Sequence, residues 1–241
     1  MHRSAPRLTR ILACAAVPVM LVVAGCSSDS DSGSGTPDKG KGSASSAPSS
    51  QQTTKAPEPA KFAELPEVCK SISAKTTESL VPKAKAKNGT AAASSDTASR
   101  GGCSWNGLDD KGVKGSQYRW LDVSFYRYES DASLGSGEKR AQENFAKELA
   151  KVQATEGAKK LKTSESAGLG DEAKAVTYEV RKTGEDFTYA SVVARTGNVL
   201  VLLTYNGAGY AGADGPSDKT VLAGALKASK EAVAAVAAAN K

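Results

Sequence analysis

Residues 61–241 predict an α+β domain, a mainly antiparallel sheet packed with helices. Three observations lead there. Apolar and polar residues alternate in several short runs, those runs are joined by tight polar or glycine-bearing turns, and three segments repeat apolar residues at helical spacing. Strands joined by turns of a few residues cannot run parallel, because a parallel connection needs a crossover of a dozen residues or more. A domain of 181 residues is long enough for one real core.

The elements follow in order. Ser73 to Val81 reads as a short helix with Ser73 as its N-cap and Pro82 ending it. Cys103-Ser-Trp105 lies on a strand ahead of a polar, Gly-rich loop. In Trp120 to Tyr128, Leu121, Val123 and Phe125 alternate with Asp122, Ser124 and Tyr126, the pattern of a half-buried strand. Gly137 to Glu156 predicts an amphipathic helix with Ala141, Phe145, Leu149 and Val152 on one stripe. Ala175 to Arg181 predicts a strand with Val176, Tyr178 and Val180 on one face. Phe187–Arg195 and Val199–Tyr205 read as a hairpin, since Thr196-Gly197-Asn198 between them suits positive φ at the turn. Pro216 or Ser217 opens a last helix, with Leu222, Leu226, Val233 and Val236 expected on its buried face.

Ahead of the domain, Arg3, Arg7 and Arg10 lead into the apolar run Ile11 to Ala24, which ends in Val23-Ala24-Gly25-Cys26. This is the layout of an export signal. The 14 apolar-run residues, with Pro18 among them, fall short of the about 20 that a spanning helix needs. A plain secretory signal is the closer competitor. The ending resembles a bacterial lipobox, which implies a lipoprotein signal peptide over 1–25 and a lipid on Cys26, the first residue of the mature chain. Ser27 to Ala60 holds no aromatic or large aliphatic residue, so it cannot bury enough apolar surface to offset the entropy of ordering. Residues 26–60 therefore read as the lipidated cysteine and a disordered Ser/Gly/Pro-rich tether, with an end-to-end distance of about 30–35 Å. The expected address is the extracytoplasmic face of the cell membrane, reached through the lipid anchor.

Charge and composition narrow the function. The formal charge is +6 and falls to +3 when the leader's three arginines are removed. The positives are scattered apart from Lys159, Lys160 and Lys162, without the dense stripe and interleaved aromatics of a nucleic-acid binder, so no nucleic-acid partner is expected. Cys14 leaves with the signal and Cys26 takes the lipid, which leaves Cys69 and Cys103 as a disulfide pair in an oxidising compartment. The only histidine is His2, in the leader. The mature chain thus lacks Ser-His-Asp and Cys-His pairs and imidazole metal ligands. No cofactor and no metal site are expected, and the domain reads as a monomer.

Several short motifs together are similar to a known family. They are the lipobox and tether, Cys69 before a short helix, Cys103-x-Trp105 on a strand, Gly168-Leu-Gly-Asp-Glu-Ala173, and Arg195-Thr-Gly-Asn198 before an apolar strand. They resemble the actinobacterial lipoproteins grouped as domain of unknown function 3558 (DUF3558). The resemblance implies a sheet-and-helix sandwich like that of the photosystem-II protein PsbP, and it implies no enzymatic activity.

Other motifs read as structure. In Gly168–Ala173 the glycines suit a tight turn with Leu169 pinned in the core, while Asp171 and Glu172 could offer adjacent carboxylates to a cation or amine. Gly207-Ala-Gly209-Tyr-Ala-Gly212 matches G-x-G-x-x-G but lacks a following βαβ unit, so it reads as loop. Ser136-Gly-Glu-Lys139 and Lys182-Thr-Gly184 match the short motifs of penicillin-recognising enzymes, but Lys182–Asp186 reads as a polar turn. Two function classes follow. The first is a non-catalytic envelope module binding an envelope protein, lipid or wall polymer, with Trp105, Trp120, Asp171 and Glu172 as candidate groove residues and Tyr118, Tyr126, Tyr128, Tyr205 and Tyr210 as further aromatics. The second is a histidine-free hydrolase or transferase working on wall polymers through carboxylates such as Asp171, Glu172 or Asp122.

Overall fold

The computed structural model describes residues 56–241; the predicted signal, Cys26 and most of the tether lie outside the described residues. Seven strands form one sheet: β1 (Thr90–Ala91), β2 (Arg100–Asp109), β3 (Ser116–Arg127), β4 (Lys159–Glu165), β5 (Glu172–Lys182), β6 (Glu185–Thr196) and β7 (Val199–Tyr210). Their spatial order is β1-β2-β3-β7-β6-β5-β4, and every neighbouring pair is antiparallel. With α1 (Ala74–Leu80), α2 (Gly137–Gln153) and α3 (Asp218–Ala239), this is the predicted α+β architecture.

Strand parity assigns the faces, because directly paired residues point the same way. Trp105 pairs with Leu121, Leu121 with Tyr205 and Tyr205 with Ala190, so these share one face. That face carries the main core with Val123, Phe125, Val192 and Leu203, and it is covered by Leu80 of α1 and by α3. On the opposite face Phe145 of α2 packs with Val193 and Leu200. Leu169 is buried, as the turn reading requires.

All three helices begin at a serine whose side chain accepts a backbone N–H: Ser73 from Thr76, Ser136 from Lys139, and Ser217 from Thr220. The S-x-x-K match at 136–139 is therefore a helix cap. α2 stops at Gln153, three residues before the predicted end. The buried face of α3 also differs from expectation. Val221, Gly224, Ala225, Ala228, Ser229, Ala232 and Val236 are buried, while Leu222, Leu226 and Val233 are only partly so. Small residues let this helix lie close to the sheet. At Gly224 an added Cβ would come within 2.8 Å of both Leu80 and the Tyr205 ring. The larger side chains flank that seam rather than form it.

The turns differ in chemistry. Thr183 and Gly184 both have positive φ, 50° and 88°, so Lys182-Thr-Gly is the β5–β6 hairpin turn. At the β6–β7 turn only Gly197 does, at 52°, and the expectation of positive φ fails at Asn198. Asn198 is fully buried and uses its side chain instead. Its Oδ1 accepts from the Phe62 N–H at 2.8 Å, and its Nδ2 donates at 2.9 Å to the carbonyls of Phe62 and Tyr128. Asn240 makes a second clip, accepting from the amides of Ala63 and Glu64. Gly207 and Gly209 lie inside β7 rather than in a loop, and the turn begins only at Ala211.

β4 carries no apolar alternation that would predict a strand. Its sequence, Lys-Lys-Leu-Lys-Thr-Ser-Glu, is exposed throughout, and the cluster of Lys159, Lys160 and Lys162 sits on an edge strand. An exposed edge studded with lysine resists pairing with another chain. Cys69 and Cys103 are joined as predicted, with an S–S distance of 2.05 Å and a Cα–Cα distance of 5.2 Å.

Candidate functional site

The four residues singled out as a groove do not come together. Trp105 is 2% exposed and faces the α1/α3 core. Trp120, one residue from its partner Leu121, points to the other face. Asp171 and Glu172 stand at the start of β5, with β7 and β6 between them and β3, and are spent on the fold. Asp171 accepts from the Gly197 N–H at 2.6 Å and from Arg195 at 3.3 Å, while Glu172 accepts from Arg195 at 2.5 Å. They hold the β5 entrance against the β6–β7 turn, and Gly170 gives the close approach, since a Cβ there would strike the Arg195 carbonyl.

The structure brings a different set together, on the half of the sheet that α2 leaves open. α2 packs on β5, β6 and β7, and the α2-side residues of β3 stay partly accessible beside it. Along β3 these are Tyr118, Trp120, Asp122, Ser124 and Tyr126, one every second residue and about 6.6 Å apart. Ser104 of β2 and Thr204 of β7 are the direct cross-strand neighbours of Asp122. This open strip of the sheet surface, termed the β3 trough, is thus an aromatic pair, a carboxyl set among hydroxyls, and another aromatic. One end opens into a cavity of about 360 Å³ lined by Leu108, Tyr118 and Tyr210. The other meets a depression of about 140 Å³ between Ala92–Ser94 and Tyr126, where Gly102 lets Ser124 and Ala92 approach within 3.2 and 3.3 Å of the Cβ position it lacks. Beyond Tyr126, Arg100, Arg140 and Glu148 line a charged pocket of about 400 Å³.

Asp122 is the chemically distinctive group of this trough. Among the described residues it has no salt-bridge partner, and Ser124 Oγ donates to it only at 3.5 Å. Burial raises its pKa to about 6 from the usual 3.8, with the Ser124 bond opposing the shift. A carboxyl raised on folding favours the fold fully below the unfolded value and loses that contribution as pH climbs through the folded one. Asp122→Asn should therefore stabilise the domain by about 1–2 kcal/mol above pH 6, discounting for partial exposure. The gain should vanish below pH 4. Melting curves from pH 3.5 to 8 check this, and a pH-independent effect would sink it.

Trp105 has its own surroundings. Its Nε1 is buried and has no hydrogen-bond partner among the described residues, and its ring helps line a cavity of about 430 Å³ with Cys69, Ser73, Lys87 and Asn88. A Cβ at Gly89 would fall within 2.7 Å of this ring, so the glycine is what admits the indole. Among the described residues no group of three or more His, Cys, Asp or Glu could hold a metal ion. No described helix is long and apolar enough to cross a membrane.

Sequence parity already held the signal for the trough. Trp120 shares the even-numbered, polar side of β3 with Asp122, Ser124 and Tyr126. The sequence could not show that β3, paired with β2 on one side, takes β7 rather than β4 on the other, nor that α2 stops short of it.

No protein-family model matches the chain, and no curated protein matches it. A solved structure that it resembles in part is LpqN, involved in cell envelope biogenesis of Mycobacterium tuberculosis. The identity is 17%, over 54% of this chain and 68% of that one, with a TM-score of 0.30. A likeness of that extent assigns neither family nor function.

Proposed function

We propose that this chain is a lipid-anchored envelope lipoprotein of the DUF3558 type whose domain binds, without catalysis, a hydroxyl-rich ligand such as a wall glycan along the β3 trough. The single observation behind the ligand class is Asp122, a half-buried carboxyl without a cation and flanked by Ser104, Ser124 and Thr204. A carboxyl among hydroxyls suits ligands that donate and accept many hydrogen bonds, and the faces of Trp120 and Tyr126 suit flat apolar ring surfaces. The address rests on the leader and the lipobox-like Val23–Cys26.

Soluble glycan fragments released from cell wall should shift the fluorescence of Trp120 saturably, with the buried Trp105 as the insensitive background. In calorimetric titration, which needs no tryptophan reporter, Trp120→Ala or Asp122→Ala should weaken binding about tenfold, the scale of one lost stacking or charge-assisted contact. Equal affinity of both variants with the wild type would remove the trough from the reading. For the address, Cys26→Ala should abolish lipid labelling in cells; persistence of the label would overturn the anchor.

The hydrolase reading draws on the same carboxyl, because a pKa near 6 suits a general acid. Against it, the residues opposite Asp122 are Ser104 and Thr204, not a second carboxylate. Glycan turnover that disappears in Asp122→Asn would decide for catalysis.

A further inference from the structure

At the far end of β3 from Asn198, two neighbouring segments present lysines and apolar side chains to solvent. The first is Lys83-Ala-Lys-Ala-Lys87. Ala84 bridges to Gly107 and the Lys85 N–H donates to the Asn106 carbonyl at 2.9 Å, which lays this segment along β2. Its alternation turns Ala84 and Ala86 inward, half-buried, and leaves Lys83, Lys85 and Lys87 exposed. The second is the β2–β3 hairpin, with Leu108 42% exposed, Val113 97% exposed, and Lys111 and Lys114 on either side of Val113.

The hairpin is braced rather than loose. Asp110 accepts from the Gly112 N–H at 2.8 Å and from Ser116 Oγ at 2.9 Å, and the base of the turn lies so close to Ala213 that Gly115 has no room for a Cβ. Val113 is thus held outward. Glu78 lines a shared depression with Lys83 and Lys87, but the local acids leave most of these lysines without an ion pair. Asp109 pairs with Lys111 at 3.4 Å and Asp110 is occupied by the turn, while Lys83, Lys85, Lys87 and Lys114 have no carboxylate within 4.0 Å among the described residues. Between the two segments, Lys85, Leu108, Tyr118 and Tyr210 line the cavity of about 360 Å³.

We infer that this end of the domain docks on an anionic lipid surface. Unpaired lysines around an outward apolar tip match a bilayer interface, where phosphates meet the ammonium groups and Val113 enters between headgroups. Tyrosines at the rim of an apolar recess suit the same boundary. A soluble polyanion would use the lysines and gain nothing from Val113 or Leu108. The surface would supply a second attachment beside a lipid on the N-terminal side, and it would fix which end of the domain faces the bilayer.

The test is vesicle sedimentation of the unacylated chain from Ser27 onward, which carries the whole described fold. Phosphatidylcholine vesicles with and without 30% phosphatidylglycerol serve as the surface, and long-chain polyphosphate serves as a competing polyanion. Each lysine at an anionic surface is worth roughly a fivefold gain in partitioning. Replacing Lys83, Lys85 and Lys87 together by alanine should thus cut binding to anionic vesicles about 100-fold, and Val113→Ser should cut it several-fold without affecting polyphosphate. Binding that ignores vesicle charge overturns the inference. So does a Val113→Ser chain that partitions like the wild type, because a purely electrostatic polyanion site would then explain the patch. Melting curves of these exposed-site variants verify folding. Glycan titration at Trp120, which none of them touches, keeps a failure here separate from a failure of the trough reading.

Discussion

Breaking the Cys69–Cys103 bridge is expected to lower stability by about 3–4 kcal/mol, which is roughly a 6–16 °C fall in melting temperature for a domain of this size. The loop it closes spans 34 positions, and what that loop holds makes the bond matter. It contains α1, the Lys83–Lys87 segment and the two-residue strand β1, which are poor in large apolar side chains; Ile72, Leu80 and Val81 are the main exceptions. Without the bridge, the unfolded chain gains the freedom of the whole loop, while the folded chain keeps only thin packing there. Cys103 is 1% exposed, so the serine variant also buries a hydroxyl in the core. The measurement is thermal unfolding of the wild type with and without reductant, beside the Cys69→Ser/Cys103→Ser double variant. Reduced wild type should melt well below the oxidised protein, and the double variant no higher than the reduced wild type. A wild-type curve indifferent to reductant would contradict the expectation.

Asn198→Ala is expected to cost about 3–5 kcal/mol, more than a surface turn residue has any reason to cost. Truncation leaves the N–H and carbonyl of Phe62 and the carbonyl of Tyr128 without the side chain that served them. Each buried polar group left unpaired costs about 1–3 kcal/mol. The loss is also local in its readout. Phe62 is buried and rests against the β6–β7 turn, where its ring lies 3.1 Å from the Cβ position of Gly197. Hydrogen exchange should therefore show the Phe62 amide losing protection before the sheet does. Asn198→Asp should fare no better, since a carboxylate can accept from Phe62 but cannot donate to the two carbonyls. Unchanged protection at Phe62 in both variants would show that the segment is held by packing alone.

The parts of this fold that were legible are those where one physical signal dominates. Leu121, Val123 and Phe125 alternate against polar neighbours, and a strand half in water must look like that. Ser73 caps its helix, and the hairpin across Gly197 joins β6 to β7. What escaped was set by partners distant in sequence. β4 has no apolar alternation because it buries neither face, and it is a strand only because β5 offers its edge. The seam of α3 is alanine and glycine because Tyr205 and Leu80 crowd it, so the larger residues mislead any reading by hydrophobicity. The trough was half visible. Trp120 and Asp122 each stand out in the sequence, but only the β3–β7 pairing sets Asp122 across from Thr204, and only the placement of α2 leaves them open. Asp171 and Glu172 look available in sequence because Arg195, which occupies both, stands more than twenty residues away.

Residues 56–68 form a strap that runs from the start of the described chain to the Cys69 bridge. A pull arriving from ahead of residue 56 loads the strap one clasp at a time: first the Ser130 hydroxyl on the Glu58 carbonyl, then Asn198 and Asn240 on Phe62, Ala63 and Glu64. These bonds can yield in sequence and re-form. At Cys69 the peel stops, because the disulfide passes tension directly into β2, which is zipped to β3 over ten residue pairs. The strap thus works as a short extensible leader of about 13 residues, or roughly 45 Å when drawn straight, ending in a covalent stop. Traction would be spent on the leader while the trough on β3 keeps its shape.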